Sequence, residues 1–248
     1  MHSYIMKFII IFLLFTQFLF SKSLEKIILD EYIRVGVKFE YKPFAFINEE
    51  GKIDGFEIDL IKSMMDRLNI RVKFIEVSSK NKEKMLLDDK IDILLAGMIP
   101  QENQNSGMSF SKPYFFDEQI VLVNNKEKIN SFSDLKGKYV GAIKGSTHLE
   151  NFLKIQPDVT SISFTQYPQL ISALTHNNID AVTADSSWAK AQMKLHDGKF
   201  KILDDVISTN KYAIALKSDN VDLKKTINSL FEKISNDKTY ENIYKKWF

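Results

Sequence analysis

The chain has 248 residues, a formal net charge of +2 at pH 7 and no cysteine. The lack of cysteine excludes disulfides, thiol chemistry and a cysteine-linked lipid anchor. Acidic and basic residues are nearly balanced and interspersed, which gives no electrostatic argument for nucleic-acid binding. The four histidines are too scattered for a metal-ligand motif, so we predict neither a metal site nor a cofactor.

The first 23 residues have the pattern of a secretory signal peptide. Lys7 precedes an almost wholly apolar run over residues 8–20, and Ser21-Lys22-Ser23 offers a cleavage site. The run is too short to span a bilayer comfortably. We therefore predict export with cleavage near Ser23, which would lower the formal charge from +2 to 0. A retained membrane-tethering segment is the alternative.

After this segment the chain alternates strand-like and helix-like stretches. In the first half we predict a strand at 33–37, a hairpin around the turn at 48–51, a helix opened by Asp59, a strand at 72–77, a helix through 85–87, a buried strand at 91–96 and an extended segment at 117–123. In the second half we predict strands at 139–143, 161–164 and 179–183, helices opened by Thr147 and Asp185 and over 168–175, an extended run at 212–216, and amphipathic helices at 223–234 and 240–248.

Two pairs of segments are similar between the halves. Ile91-Asp92-Ile93-Leu94-Leu95-Ala96-Gly97 matches Ile179-Asp180-Ala181-Val182-Thr183-Ala184-Asp185, and Arg34-Val35-Gly36-Val37-Lys38 matches Tyr139-Val140-Gly141-Ala142-Ile143-Lys144. The repetition predicts two similar α/β lobes with parallel strands. Because open α/β sheets bind ligands beyond the carboxyl ends of their strands, we expect the last residues of these segments to line a cleft. They are Lys38, Gly97, Lys144 and Asp185.

Several short motifs follow one another in order along the chain. They are Arg34-Val35-Gly36-Val37, Tyr41-Lys42-Pro43-Phe44, residues 55–60, 110–114 and 134–138, Gly145-Ser146-Thr147, residues 179–182 and the ending at 240–248. Each motif is weak alone, but the ordered set resembles the solute-binding proteins of bacterial polar amino-acid ABC transporters, family 3, over essentially the whole chain after residue 23.

This resemblance implies the type II periplasmic binding protein fold, in which two Rossmann-like α/β lobes are joined by two crossing strands. Lobe one would comprise residues 24–117 and 214–248, and lobe two residues 118–213. The implied function is capture of a small polar solute, an amino acid or a close relative, in the periplasm by closure of the lobes. The expected partner is the membrane permease of an ABC transporter, and the expected oligomeric state is a monomer.

Four predicted site residues each have a structural alternative. Ser146 and Thr147 lie where a strand gives way to a helix, which indicates either a carboxylate site at the helix N-terminus or only a capped helix start. The sequence Thr147-His148-Leu149-Glu150 fits the capping-box pattern. The resemblance implies that Thr147 binds the ligand's acid group.

Asp185 and Tyr41 are the other two positions that the resemblance assigns to the ligand. Asp185 would pair with the ligand's α-ammonium group; its alternative role is that of a helix N-cap. Tyr41 would pack on the ligand; its alternative is simple loop packing. Gly97 and Met98, which follow the strand of lobe one, would lie beside the ligand as well.

The chain departs from the family pattern after that strand. The family carries a hydroxyl residue and then an arginine that grips the α-carboxylate, whereas this chain has Ile99 and Gln104. The arginines of the chain, at positions 34, 67 and 71, belong to elements of lobe one and are not placed to reach the cleft. Gln104 could offer neutral hydrogen bonds, which would favour amides or hydroxyls.

Lys38 and Lys144 are the candidate substitutes for the missing arginine, because each follows the first strand of its lobe. The alternative for each is an ordinary surface lysine. A cation at position 38, which in the family reads the ligand's side chain, favours a ligand with an anionic group.

Two other functions are compatible with the same scaffold. Some proteins that resemble the family are periplasmic dehydratases, although this sequence shows no nucleophile–base constellation and we predict no catalytic residues. A ligand-sensing protein is the second alternative.

Overall fold

The computed structural model describes residues 23–100 and 107–248. Residues 1–22 of the predicted signal peptide and the predicted site residue Gln104 lie outside the described residues. The helices are α1 (Leu24–Asp30), α2 (Phe56–Met65), α3 (Lys82–Leu87), α4 (His148–Ile155), α5 (Tyr167–Thr175), α6 (Ser186–Leu195), α7 (Val221–Asn236) and α8 (Thr239–Trp247). The strands are β1 (Tyr32–Val37), β2 (Glu40–Tyr41), β3 (Ala45–Ile47), β4 (Ile53–Asp54), β5 (Arg71–Glu76), β6 (Ile93–Leu94), β7 (Met108–Asn124), β8 (Tyr139–Ile143), β9 (Thr160–Phe164), β10 (Ala181–Asp185), β11 (Phe200–Ile202) and β12 (Ser208–Lys217).

Two long antiparallel strands connect the halves of the molecule. The main sheet has the order β5-β1-β6-β12-β7-β10-β8-β9, with β11 also paired to β7. Strands β7 and β12 pair from Ser208 opposite Gln119 to Lys217 opposite Met108. Strands β5, β1 and β6 pair in parallel on one side of them, and β10, β8 and β9 on the other. The expected fold of two α/β lobes joined by two crossing strands is therefore confirmed, while the exact lobe boundaries remain a prediction.

The repeated segments form the same packing arrangement in both lobes. Gly36 in β1 lies so close to Ile91 that a Cβ atom would be 2.5 Å from its Cδ1, and Gly141 in β8 lies equally close to Ile179, at 2.7 Å. A side chain at either glycine would therefore force the neighbouring isoleucine side chain to move. The two glycines thus let the isoleucine side chains pack directly against the backbone of β1 and of β8.

The aspartate that follows each of these isoleucines, Asp92 or Asp180, accepts a hydrogen bond from the backbone of the first strand of its lobe. The backbone N–H of Arg34 donates to Asp92 Oδ2 at 2.8 Å, and that of Tyr139 donates to Asp180 Oδ2 at 2.8 Å. Asp92, which is fully buried, also forms an ion pair with the half-buried Arg34, with Nη2 and Oδ1 2.6 Å apart. The repetition seen in the sequence thus has a structural role inside each lobe, in addition to marking the strands that end at the cleft.

Most predicted elements are present, with shifts at their ends. The hairpin is confirmed, because β3 pairs with β4 around the turn. Helix α2 begins at Phe56, three residues before Asp59, because the buried side chain of Phe56 joins the aromatic core. The strand predicted at 91–96 is assigned only at Ile93–Leu94, although Asp92 N bonds to Arg34 O and Leu95 N to Gly36 O on either side of it.

The two C-terminal helices return to the first lobe. Trp247 Nε1 in α8 donates to Asp59 Oδ2 in α2 at 2.9 Å, and Tyr240 OH donates to the carbonyl of Tyr114 at 2.7 Å. Across residues 23–100 and 107–248, no helix is long and apolar enough to cross a membrane. In the same ranges no group of three or more His, Asp or Glu side chains is arranged to hold a metal ion.

Candidate functional site

A cavity of about 190 Å³ lies between the two lobes, where the strands of both end. It is lined by Lys38, Ser79, Lys82, Glu83, Gly97, Met98, Ile99, Gly145, Ser146, Thr147, His148 and Asp185. The volume is below the range usual for drug-sized ligands, which points to a small molecule. The lobes touch across it, since Tyr41 OH of the first lobe donates to Asp185 Oδ2 of the second at 2.6 Å.

The structure brings together most of the predicted site residues. Those that line the cavity are Lys38, Gly97, Met98, Ser146, Thr147 and Asp185. Tyr41 does not line it but is buried directly against Asp185. Lys144 is exposed and not part of the lining, in keeping with the surface alternative. The part of these residues in ligand binding remains a prediction.

Asp185 precedes helix α6, yet its side chain does not cap that helix. Asp117 of strand β7 takes this role: its Oδ1 accepts hydrogen bonds from Ser186 Oγ at 2.9 Å and from Ser187 N at 3.2 Å. A helix N-terminus needs such acceptors for its free N–H groups. Because Asp117 supplies them, the carboxylate of Asp185 is left to face the cavity. The alternative role of Asp185 as a side-chain N-cap is therefore wrong.

The Asp185 carboxylate is buried and held from both sides. Tyr41 OH donates to Oδ2, and His148 Nε2 lies 3.2 Å from Oδ1. Burial acts to raise the pKa of Asp185, but it is outweighed by the charge of His148 and by hydrogen bonds from His148, Tyr212 and Tyr41. The net effect is a pKa well below the usual value, so Asp185 is a stable anion at the cavity wall.

Thr147 lies at the N-terminus of α4, but the predicted capping box is wrong. The Thr147 side chain makes no capping hydrogen bond, because its φ of −84° and ψ of −1° are helical and not the extended values of a capping residue. Ser146 Oγ is turned back to the carbonyl of Ile143, at 2.7 Å. The Thr147 hydroxyl therefore remains unused by α4 beside the cavity.

Lys38 is not a surface lysine, so that alternative is wrong. The residue is 9% exposed, and its ammonium lies 4.5 Å from the ring centre of Tyr41 and 3.5 Å from Tyr167 OH. The rings of Tyr41 and Tyr167 stack across the two lobes at 5.2 Å. Burial lowers the pKa of Lys38, and the charges of Asp185 and Glu57 oppose this shift.

Lys82, at the start of α3, supplies a second ammonium group to the same cavity. Burial and then the nearby charge of Lys38 lower the pKa of Lys82 to about 7. Among the described residues, neither ammonium forms an ion pair with a carboxylate. An added negative charge would reduce the electrostatic repulsion between these two ammonium groups, which share one small cavity.

Glu57 holds the loop that carries Gly97. Its fully buried Oε1 accepts hydrogen bonds from Gly97 N at 3.1 Å and from Tyr114 OH, and burial raises the pKa of Glu57. Gly97 has a φ of +58°, and a Cβ there would lie 3.3 Å from Tyr41 Cε1. Glycine thus permits both the left-handed turn and the close approach of Tyr41.

Two of the three arginines are held in ion pairs away from the cavity. Arg34 pairs with Asp92, and Arg67 pairs with Asp237 at 2.5 Å. Arg71 is exposed at the start of β5. None of these three side chains is part of the cavity lining.

Sequence reasoning missed five residues that shape the site: Glu57, Lys82, Asp117, His148 and Tyr167. Glu57 offered a signal, because a carboxylate between apolar residues at a helix start, within a motif quoted above, is unusual on a buried face. His148 was visible only as part of the supposed capping box. Lys82, Asp117 and Tyr167 reach the site through tertiary packing, for which the local sequence carries no periodic signal.

Comparison with known proteins agrees with this geometry. Residues 33–248 match the sequence profile of the bacterial extracellular solute-binding proteins, family 3. The chain is 34% identical over 201 residues to a glutamine-binding protein of Geobacillus stearothermophilus, covering 78% of this chain and 76% of that protein. Its structure is similar to that of an ancestral arginine-binding protein bound to glutamine, with 34% identity, a TM-score of 0.83 and coverage of 88% and 98%.

A further similar structure is the ancestral amino acid-binding protein AncCDT-1, a precursor of cyclohexadienyl dehydratase. The identity is 28%, the TM-score 0.85 and the coverage 91% of this chain and 99% of that one. The profile match spans most of the chain, so the protein belongs to family 3 of the bacterial extracellular solute-binding proteins.

Proposed function

We propose that the protein captures a small amino acid in the cavity between its lobes and presents it to the membrane permease of an ABC transporter. The observation that carries this proposal is the pairing of opposite recognition groups in one small space. The Asp185 anion, freed from helix capping by Asp117, suits an ammonium group, while Thr147 and the N-terminus of α4 suit a carboxylate. The amino-acid ligands named for the similar proteins support the same class of solute.

Closure would couple binding to transport. Tyr41 and Asp185 belong to different lobes and meet only when the lobes are together, so a ligand held between them would favour the closed arrangement. A ligand shifts such an equilibrium by its differential affinity for the two arrangements. We further propose that residues 1–23 direct export to the periplasm, that the lobes divide near residues 117 and 213, and that the protein acts as a monomer.

A dehydratase function is a second candidate, because one similar structure is described as a precursor of such an enzyme. An enzyme of that kind needs a general acid at the substrate. Among residues 23–100 and 107–248, the buried acids with raised pKa values are Glu57 and Asp117, and neither lines the cavity. Glu57 is engaged by Gly97 and Tyr114, and Asp117 caps α6, so we propose binding without turnover.

A thermal-melt screen tests the proposed function. The protein is unfolded and refolded to remove carried-over ligand, then heated with each common amino acid and with analogues that lack the carboxylate or the amine. A ligand at a thousandfold excess over its dissociation constant adds about 4 kcal/mol of stability. For a chain of this size this corresponds to a rise in Tm of about ten degrees. No rise with any amino acid would contradict amino-acid capture, and turnover of a cyclic precursor would favour the enzyme.

A further inference from the structure

Two ammonium groups from different elements converge on the cavity. Lys38 follows β1, and Lys82 begins α3, and both side chains are part of the lining. Neither Lys38 nor Lys82 contacts a carboxylate within the part of the chain that the structure describes. The neighbours of Lys38 are the hydroxyl of Tyr167 at 3.5 Å and the ring of Tyr41. A buried ammonium group without an anionic partner is costly.

We propose that Lys38 and Lys82 form a subsite for a second acidic group, so that the ligand is an amino acid with an anionic side chain. The inference rests on the proposed function, in which Asp185 and Thr147 hold the ammonium and carboxylate common to all amino acids. It adds that the side chain of this amino acid is acidic.

The lack of an ion pair at Lys38 and Lys82, among the described residues, favours an acidic ligand over a neutral one. A neutral amino acid brings one positive and one negative charge, which Asp185 and the N-terminus of α4 take up, so it adds no charge that pairs with Lys38 or Lys82. An acidic amino acid brings one additional negative charge, which can pair with both ammonium groups in a space of low dielectric. The cavity of about 190 Å³ also suits a short side chain.

Among the described residues, the acidic groups near the cavity act on Lys38 and Lys82 through their charge but form no ion pair with them. Asp185 is engaged by Tyr41 and His148. Glu83 lines the cavity but is exposed. Glu57 lies outside the lining, and one of its oxygens is held by Gly97 and Tyr114. Its charge acts on Lys38 without direct contact, because among the described residues the two groups form no ion pair.

The alternative assignment is that these lysines replace the family's arginine and hold the α-carboxylate. The two assignments differ in a measurable way. A lysine that holds the α-carboxylate would matter equally for every amino acid, whereas a lysine that holds the side chain would matter only for acidic ones.

The test is isothermal titration calorimetry on the refolded protein with L-aspartate and L-glutamate, each compared with its amide, L-asparagine and L-glutamine. We expect an acid to bind at least about tenfold more tightly than its amide, as for a charge-assisted hydrogen bond to a buried ammonium. In Lys82→Met the affinity for the acid should fall about tenfold or more, and that for the amide less than about threefold. The matched control is Lys84→Met, on an exposed position of the same helix, which should change neither.

The outcomes that overturn the inference are distinct from failure of the proposed function. Amides that bind the wild type as tightly as acids would exclude an anionic subsite, and this comparison needs no variant. Equal weakening of acids and amides in Lys82→Met would place Lys82 at the α-carboxylate. Both results leave amino-acid capture intact, whereas a lack of binding by acids and amides, and by the wider panel of amino acids, would remove both proposals.

Discussion

Asp117 of the first crossing strand caps the helix that follows Asp185, with Ser187 N donating to Asp117 Oδ1 at 3.2 Å. The two carboxylates therefore have different roles: Asp117 stabilises the helix, and Asp185 faces the cavity. Burial and then the charge of Asp185 raise the pKa of Asp117 to about 6. Asp117, in a strand that joins the lobes, thus leaves Asp185 available for the ligand that we propose.

The role of Asp117 predicts different effects for two substitutions. Asp117→Asn keeps an acceptor for the helix and removes the charge, whereas Asp117→Ala removes the acceptor. We expect Asp117→Ala to lower the free energy of unfolding by about 1–2 kcal/mol, as for the loss of a helix cap. Chemical denaturation at pH 7 measures both variants, and a larger loss for Asp117→Asn than for Asp117→Ala would contradict the capping role.

The same pair predicts a pH dependence of stability. The pKa of Asp117 is raised in the folded state from 3.8 to about 6, so its stabilising contribution is fully present below pH 3.8 and is lost as the pH rises through 6. Asp117→Asn carries no such titration. We expect Asp117→Asn to become more stable relative to the wild type between pH 4 and pH 7, and a difference that stays constant over this range would argue against a raised pKa.

The repeated aspartates should contribute to stability and not to ligand affinity. Asp92 is fully buried and pairs with Arg34, so Asp92→Ala should cost about 3–5 kcal/mol. Asp180 is more exposed and its ion pair with Lys138 is longer, at 3.3 Å, so Asp180→Ala should cost about 1–2 kcal/mol. Urea denaturation measures both losses, and calorimetry should give an unchanged dissociation constant for molecules that remain folded.

Gly97 offers a test of the close approach between the lobe-one loop and Tyr41. Gly97→Ala places a methyl group 3.3 Å from Tyr41 Cε1 and strains a φ of +58°, so we expect about 1–2 kcal/mol of lost stability and weaker ligand binding. Gly198→Ala is the matched control, with a φ of +67° and nothing within 4 Å of the added atom. It should lose similar stability without any change in affinity. Equal affinities for the two variants would mean that Tyr41 tolerates displacement.

The affinity for an acidic ligand should depend on pH through Lys82. With a pKa of about 7, Lys82 is charged below pH 7 and loses its proton above it. The affinity for L-aspartate should therefore be highest below pH 7 and fall by up to about tenfold for each unit above it. Lys82→Met should show a flatter profile between pH 6 and pH 9. An identical profile in both proteins would assign the titration to another group.

The fold could be predicted from the sequence because its signals are local or repeated. The glycine and isoleucine–aspartate pairs mark corresponding strands in both halves, and the extended segments predicted the two crossing strands. The ends of elements were less predictable, because the start of α2 at Phe56 depends on aromatic packing from distant parts of the chain.

The site was predicted less completely, for physical reasons that differ between residues. Asp185 and Thr147 lie at strand-to-helix junctions, which sequence patterns reveal. Whether a side chain caps its own helix depends on distant partners, and Asp117 lies 70 residues before Ser187. The burial of Lys38 depends on Tyr167 of the other lobe, so its surface interpretation could be corrected only by the structure.

Calorimetric titration of the refolded wild type and of Asp185→Asn, with the amino acid that gives the largest thermal shift, tests whether Asp185 binds the ligand's ammonium group. The substitution keeps an acceptor for Tyr41 but removes the charge that faces the cavity, and Asp180→Asn serves as the control for a general loss of structure. We predict one bound ligand per chain in the wild type, an affinity about a hundredfold lower in Asp185→Asn and an unchanged affinity in Asp180→Asn. Wild-type affinity in Asp185→Asn would mean that Asp185 does not bind the ligand's ammonium group.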